Sequence, residues 1–136
     1  MTNPSSEASH LLQLTQKLLD AISGKDWATY QQLCDPTLTC FEPEACGNLV
    51  QGMPFHQFYF QLGGGSRPGL VTMVQPHVRI VGEVAIVCYV RLIQSMGDAG
   101  PKTTAFEETR IWHKQGEHWK HVHFHRSPAA STDGSK

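Results

Sequence analysis

The chain has 136 residues, enough for one ordinary domain. Hydrophobic residues make up 40% and charged residues 17%, and the formal net charge is −1. That composition excludes a disordered chain and gives no basic excess for a nucleic-acid backbone. The four cysteines, Cys34, Cys40, Cys46 and Cys88, lack the paired spacing of a zinc site and read as free thiols of a reducing, cytoplasmic setting.

The first six residues are polar and read as a disordered lead. From Ser6 to Ile22, Leu11, Leu14 and Leu18 recur at helical spacing, with Leu12, Leu19 and Ile22 beside them. Polar Gln13, Gln16 and Lys17 interrupt the run, so it is neither a signal segment nor a membrane span. Gly24 is the expected stop. Asp26 then caps a short helix through Trp27, Tyr30 and Leu33, which Pro36 ends. Leu38–Glu42 reads as a short strand, followed by a turn and hairpin around Cys46–Gly52. Pro54 starts a third helix running to about Leu62, and Gly63–Ser66 forms a flexible loop.

Four long strands are predicted next: Leu70–Val81, Val84–Met96, Lys102–Lys114 and His118–Arg126. Helices first and a long meander afterwards imply an α+β cone with the sheet curling around the helices. Residues 128–136 read as a disordered polar tail, leaving one domain over 7–127.

Alternate residues of a strand share a face. That rule groups Val87, Tyr89 and Arg91 on one strand, Phe106, Glu108, Arg110 and Trp112 on the next, and Val122, Phe124 and Arg126 on the last. The three arginines are expected to converge on the concave side, with Glu108 pairing one of them. The spare guanidinium donors suit a carboxylate, and a structural ion-pair network is the competing reading. His56 falls near the mouth of such a pocket. His121, His123 and His125 alternate and are placed on the outer face, where they serve as a packing surface ahead of a metal site. Val71 and Met73 are assigned to that same outer face, with Gln75, His77 and Arg79. No cofactor is implied.

The stretches CDPTLTCFEPEACGNLVQGMPFHQFYF, PHVRIVGEVAIVCYVRLIQ and EETRIWHKQGEHWKHVHFHRS closely resemble the association (hub) domain of calcium/calmodulin-dependent protein kinase II, from about Leu11 to Ser127. The resemblance implies a fold similar to nuclear transport factor 2, with a long N-terminal helix cupped by a strongly curved antiparallel sheet. It implies a non-catalytic module that forms homo-oligomeric stacked rings (dodecamer, tetradecamer or larger). Such rings organise kinase domains, and calmodulin binding belongs to the parent kinase. Neither nucleic acid nor membrane is an implied partner.

The resemblance also places Arg91, Arg110, Arg126 and His56 in an arginine-lined cavity for small carboxylates or a regulatory segment. Val71, Met73, His121, His123 and Phe124 are carried as interface residues. The glycine-rich loop after FYF lacks an aromatic found in some family members. With no kinase motifs in the sequence, the chain is read as the module of a longer kinase or as a free-standing hub. An isomerase or cyclase on the same kind of cone is the alternative, with Glu42, Glu108 or His56 as base and Tyr30 or Tyr89 as donor.

Overall fold

In the computed structural model, residues 4–62 and 69–129 are described. Helix α1 spans Pro4–Ser23, α2 Trp27–Leu33 and α3 Pro54–Gln61. The strands are β1 Cys34–Phe41, β2 Val50–Gln51, β3 Gly69–Val81, β4 Val84–Gly97, β5 Gly100–Gln115 and β6 His118–Pro128. Helix α1 therefore begins inside the expected polar lead. The predicted glycine loop over residues 63–66 and most of the predicted tail lie outside the described residues.

Leu11, Thr15 and Leu18 form the buried stripe of α1, joined by Leu19 and Ala21. The helix closes with two crossed bonds, from Lys25 N–H to the Ile22 carbonyl at 3.3 Å and from Asp26 N–H to the Ala21 carbonyl at 2.8 Å. This closure needs a left-handed residue, and Lys25 supplies it at φ 53°. The expected terminator Gly24 keeps an ordinary conformation. Asp26 ends one helix and starts the next, because its carboxylate accepts from the Thr29 N–H at 3.2 Å as the cap of α2.

The strands form one sheet in the order β2-β1-β6-β5-β4-β3. The meander β3–β6 is antiparallel throughout, as predicted. Strand β1, however, lies parallel to β6, so the sheet is mixed. The reason is topological. The chain leaves β1 through the β2 hairpin and α3, and the meander then brings the last strand back beside the first.

Two irregularities decide which side chains face the helices. In β3 the register with β4 slips between Val74 and His77. Gln75 sits there at φ 51°, next to Pro76, which has no N–H to give the ladder. The slip corrects the predicted outer placement of Val71 and Met73. They pair with Ile93 and Arg91 and pack against the core, while His77 and Arg79 lie on the opposite face. In β6 the register slips between the partners of Ile111 and Trp112, so Val122 is the extra residue. Trp119 and His121 face inward before the slip, and Phe124 faces inward after it.

The core is a single cluster built from α1, α2 and the concave faces of the strands, with Leu18, Leu38, Val87 and Trp112 fully buried. Among the described residues, no helix is long and apolar enough to cross a membrane.

Candidate functional site

Strands β4 and β5 pair so that Tyr89 lies opposite Glu108, and Val87 lies opposite Arg110. Alternation puts Tyr89, Arg91, Glu108 and Arg110 on the concave face, where all four are buried. Glu108 is their hub. Its Oε1 accepts from the Tyr89 hydroxyl at 2.6 Å, from Arg110 Nη2 at 2.9 Å and from Arg110 Nε at 3.2 Å. Its Oε2 accepts from Arg91 Nη1 at 3.1 Å. Arg110 Nε also donates to the Tyr89 oxygen at 2.8 Å, and its guanidinium lies 4.5 Å over the Phe124 ring. The predicted pairing of Glu108 with one arginine is thus a pairing with two.

Burial alone would push the Glu108 carboxyl up. Arg110 and Arg91, with the Tyr89 hydrogen bond, outweigh it and hold the group below the ordinary carboxylate value. Burial pushes the Tyr89 hydroxyl well above its usual range. A carboxylate so neutralised is a weak proton acceptor, which disfavours Glu108 as the base of an isomerase.

Arg126 closes the outer side. Strand β6 pairs it with Glu108. Its guanidinium sits 4.7 Å over Phe106 and donates through Nη2 to both carboxylate oxygens of Glu44. Glu42 lies 3.7 Å from the same nitrogen. Glu42 caps the 3-10 turn Pro43–Ala45 that follows β1, and Glu44 is its middle residue. Burial, then the neighbouring Glu44, raises the Glu42 carboxyl, with Arg126 opposing.

On α3, His56 stands 3.8 Å from Glu42 and 3.8 Å from the Cys40 sulfur. Burial, and then Arg110, lowers its imidazole to about 4, so it is neutral at pH 7. These groups surround a cavity of about 230 Å³ with Tyr30, Tyr59 and Phe60 on its walls. Drug-sized sites run from roughly 300 Å³ upward, so this one suits a small molecule or a single side chain.

The structure therefore brings Arg91, Arg110, Arg126 and His56 to one cavity, with Glu108 beneath it. Arg91 Nε and Arg110 Nη1 are buried and have no hydrogen-bond partner among the described residues. Buried donors without partners are uncommon. Glu44 escaped the sequence reading. Its one signal was its position in the same FEPEA stretch as Glu42.

The histidines separate. His121 is fully buried, stacked on Phe124 at 5.6 Å and 3.5 Å from the Cys34 sulfur. His121 and Phe124 are thus interior residues, contrary to the outer placement expected of His121 and to the contact role assigned to both. His123 remains half-exposed on the convex face, held by Thr39 Oγ1 at 2.7 Å, with His125 exposed beyond it. The Val122 bulge prevents the three rings from converging on one ion. Among the described residues, the trio Cys40, Glu42 and His56 brings a donor atom from each within 4.8 Å. It suits a cation poorly. Arg126 already faces Glu42, and burial pushes the Cys40 thiol to about 12.

Residues 7–130 match the family model of the calcium/calmodulin dependent protein kinase II association domain. The chain belongs to that family. The association domain is 48% identical over 121 residues to a calcium/calmodulin-dependent protein kinase type II subunit delta from Oryctolagus cuniculus, covering 86% of this chain. It is 44% identical over 135 residues to the type II alpha chain of Drosophila melanogaster, covering 96% of this chain. The matches span 23% and 26% of those kinases, so the association domain corresponds to about a quarter of each.

Among solved structures it is similar to the CaMKII hub homology domain of C. reinhardtii, with a TM-score of 0.88, 45% identity, and coverage of 92% of this chain and 100% of that one. The C. elegans CaMKII association domain gives a TM-score of 0.86 at 45% identity, covering 90% of this chain and 96% of that one. An NTF2-like protein from Cytophaga hutchinsonii, 19% identical with a TM-score of 0.76, shares the fold. It covers 94% of this chain and 100% of its own.

Proposed function

We propose that this association domain assembles with copies of itself into stacked rings that organise a calcium/calmodulin-dependent kinase, and is not itself an enzyme. The observation that carries assembly, beside family membership, is the convex face of the sheet. Its apolar residues Ile86, Val90, Leu92 and Ile111 run across adjacent strands and stay half-exposed in the single chain. Val81 is 59% exposed at one end of that face. A contiguous apolar sheet face costs solubility unless another surface covers it, and a second copy supplies a self-complementary one.

The cavity takes a small carboxylate or the acidic side chain of a regulatory segment. Three guanidinium groups, two of them with an unpartnered N–H, support this reading.

Native mass spectrometry of the chain tests assembly and subunit number together. A closed particle of a dozen or more copies is expected. A monomer or simple dimer at micromolar concentration overturns the reading.

A further inference from the structure

The charges around the cavity balance within the chain. Arg91 and Arg110 share Glu108. Arg126 is held by Glu44, with Glu42 nearby. The two halves differ in construction. Glu108 is fully enclosed and bonded through both oxygens by three residues. Glu44 is more than a third exposed and, at Arg126, makes its bonds to a single nitrogen. It stands on a 3-10 turn of only three residues, whose C-cap Cys46 is in the left-handed conformation at φ 54°.

We infer that Glu44 is a built-in competitor for the cavity: its carboxylate occupies Arg126 in the free domain, and an incoming carboxylate has to displace it. This rests on the anion reading of the cavity and goes beyond it, since it names the residue that sets affinity. Binding at Arg126 is an exchange of one carboxylate for another. A carboxylate reaching Arg126 in this state gains one charge-assisted contact and breaks another of the same kind, so the net gain from that arginine is small. What remains for the ligand is the inner pair, Arg91 and Arg110, which line the cavity and share the single carboxylate of Glu108.

The arrangement also selects among ligands. An acidic group that can reach only the mouth meets an arginine already neutralised. One that enters far enough to meet Arg91 and Arg110 gains contacts that Glu44 does not contest. Breaking an exposed ion pair costs little, so Glu44 tunes the cavity and does not seal it. Replacing it by glutamine keeps the size and removes the charge, which frees Arg126 for the ligand.

The test is equilibrium dialysis of the assembled protein with radiolabelled acetate, comparing wild type, Glu44→Gln, Arg126→Gln and the double variant. Thermal melting and particle mass serve as folding controls. Glu44→Gln is expected to bind acetate roughly three- to fivefold more tightly than wild type. The same change made on Arg126→Gln is expected to have no effect. Equal affinity of wild type and Glu44→Gln overturns the competitor role and leaves the anion reading standing. No acetate binding by any of the proteins overturns both. A Glu44→Gln gain that persists without Arg126 also overturns the competitor role, because it assigns the effect to general charge. Glu44→Asp is the second variant. It keeps the charge on a shorter arm, and an affinity between wild type and Glu44→Gln supports displacement from Arg126. An affinity of Glu44→Asp below that of wild type counts against it, because loosening the hold on Arg126 cannot weaken a ligand that competes for it.

Discussion

The Tyr89 hydroxyl stands between Glu108 and Arg110, donating to the carboxylate at 2.6 Å and accepting from the guanidinium Nε at 2.8 Å. One neutral oxygen thus bridges a buried ion pair across two strands. It ties β4 to β5 beneath the cavity through side chains as well as through the backbone ladder.

Breaking that unit from its centre is expected to be severe. Glu108→Gln leaves two buried guanidinium groups without their counter-charge, a loss of about 3–5 kcal/mol. Tyr89→Phe removes one buried hydroxyl and is expected to cost about 1–2 kcal/mol. Urea denaturation of both variants checks the order. A Glu108→Gln protein as stable as wild type contradicts the role given to Glu108.

Stability is expected to fall as the medium is acidified from neutral. His56 has a value of about 4 in the fold against an ordinary 6.5. The unfolded chain therefore takes up the proton first. Stability is lost progressively as pH drops from 6.5 toward 4, by on the order of 2–3 kcal/mol. Fully buried His121 shifts the same way and adds to the loss. Glu42 is raised, so it works in the opposite sense just above the carboxylate range. Urea midpoints at pH 7 and pH 5 are expected to differ, and His56→Phe to narrow the gap. A gap of unchanged width places the proton uptake elsewhere.

Arg110→Ala is expected to abolish acetate binding in the dialysis measurement, and Arg91→Lys to weaken it, because an ammonium cannot reproduce the guanidinium fork. Circular dichroism must first show both folded. Undiminished binding by a folded Arg110→Ala protein moves the ligand out of the cavity.

Ile111→Glu places a carboxylate in the middle of the convex face without touching the concave core. Its neighbours there are Ile86 on β4 and His123 on β6. The substitution is expected to reduce particle mass in native mass spectrometry while the far-ultraviolet circular dichroism stays unchanged. A full-size particle removes this face from the assembly.

Asp26→Ala removes the side-chain cap of α2 and keeps the backbone N–H that closes α1. A loss of about 1 kcal/mol is expected from the cap alone. Thermal melting is the measurement, with Asp26→Asn expected to retain most of the stability.

The element order was legible because leucine spacing, Pro54 and the glycine-marked turns are local signals. So was the convergence of Arg91 and Arg110, which sit on strands paired in unbroken register. The failures came from single inserted residues. Gln75 and Val122 each shift alternation by one, and so Val71, Met73 and His121 were placed on the wrong side. Both slips left traces. Pro76 sits inside a predicted strand, where a proline marks an edge or a bulge. Trp119 and Phe124 are large apolar residues of opposite parity on one strand, and one face holds both only if the register slips between them. The Glu44 contact left no such trace, because a 3-10 turn carries no periodicity to extrapolate.

The parallel pairing of β1 with β6 has a temporal consequence. Until the last strand leaves the ribosome, β1 has only the two-residue β2 as a sheet neighbour. The cavity draws Glu42 and Glu44 from just after β1 and Arg126 from within β6, so it cannot exist on a nascent chain that stops short of β6. Closing that long loop is a late and slow event. A partial chain consequently carries an unsatisfied strand edge and uncancelled charges.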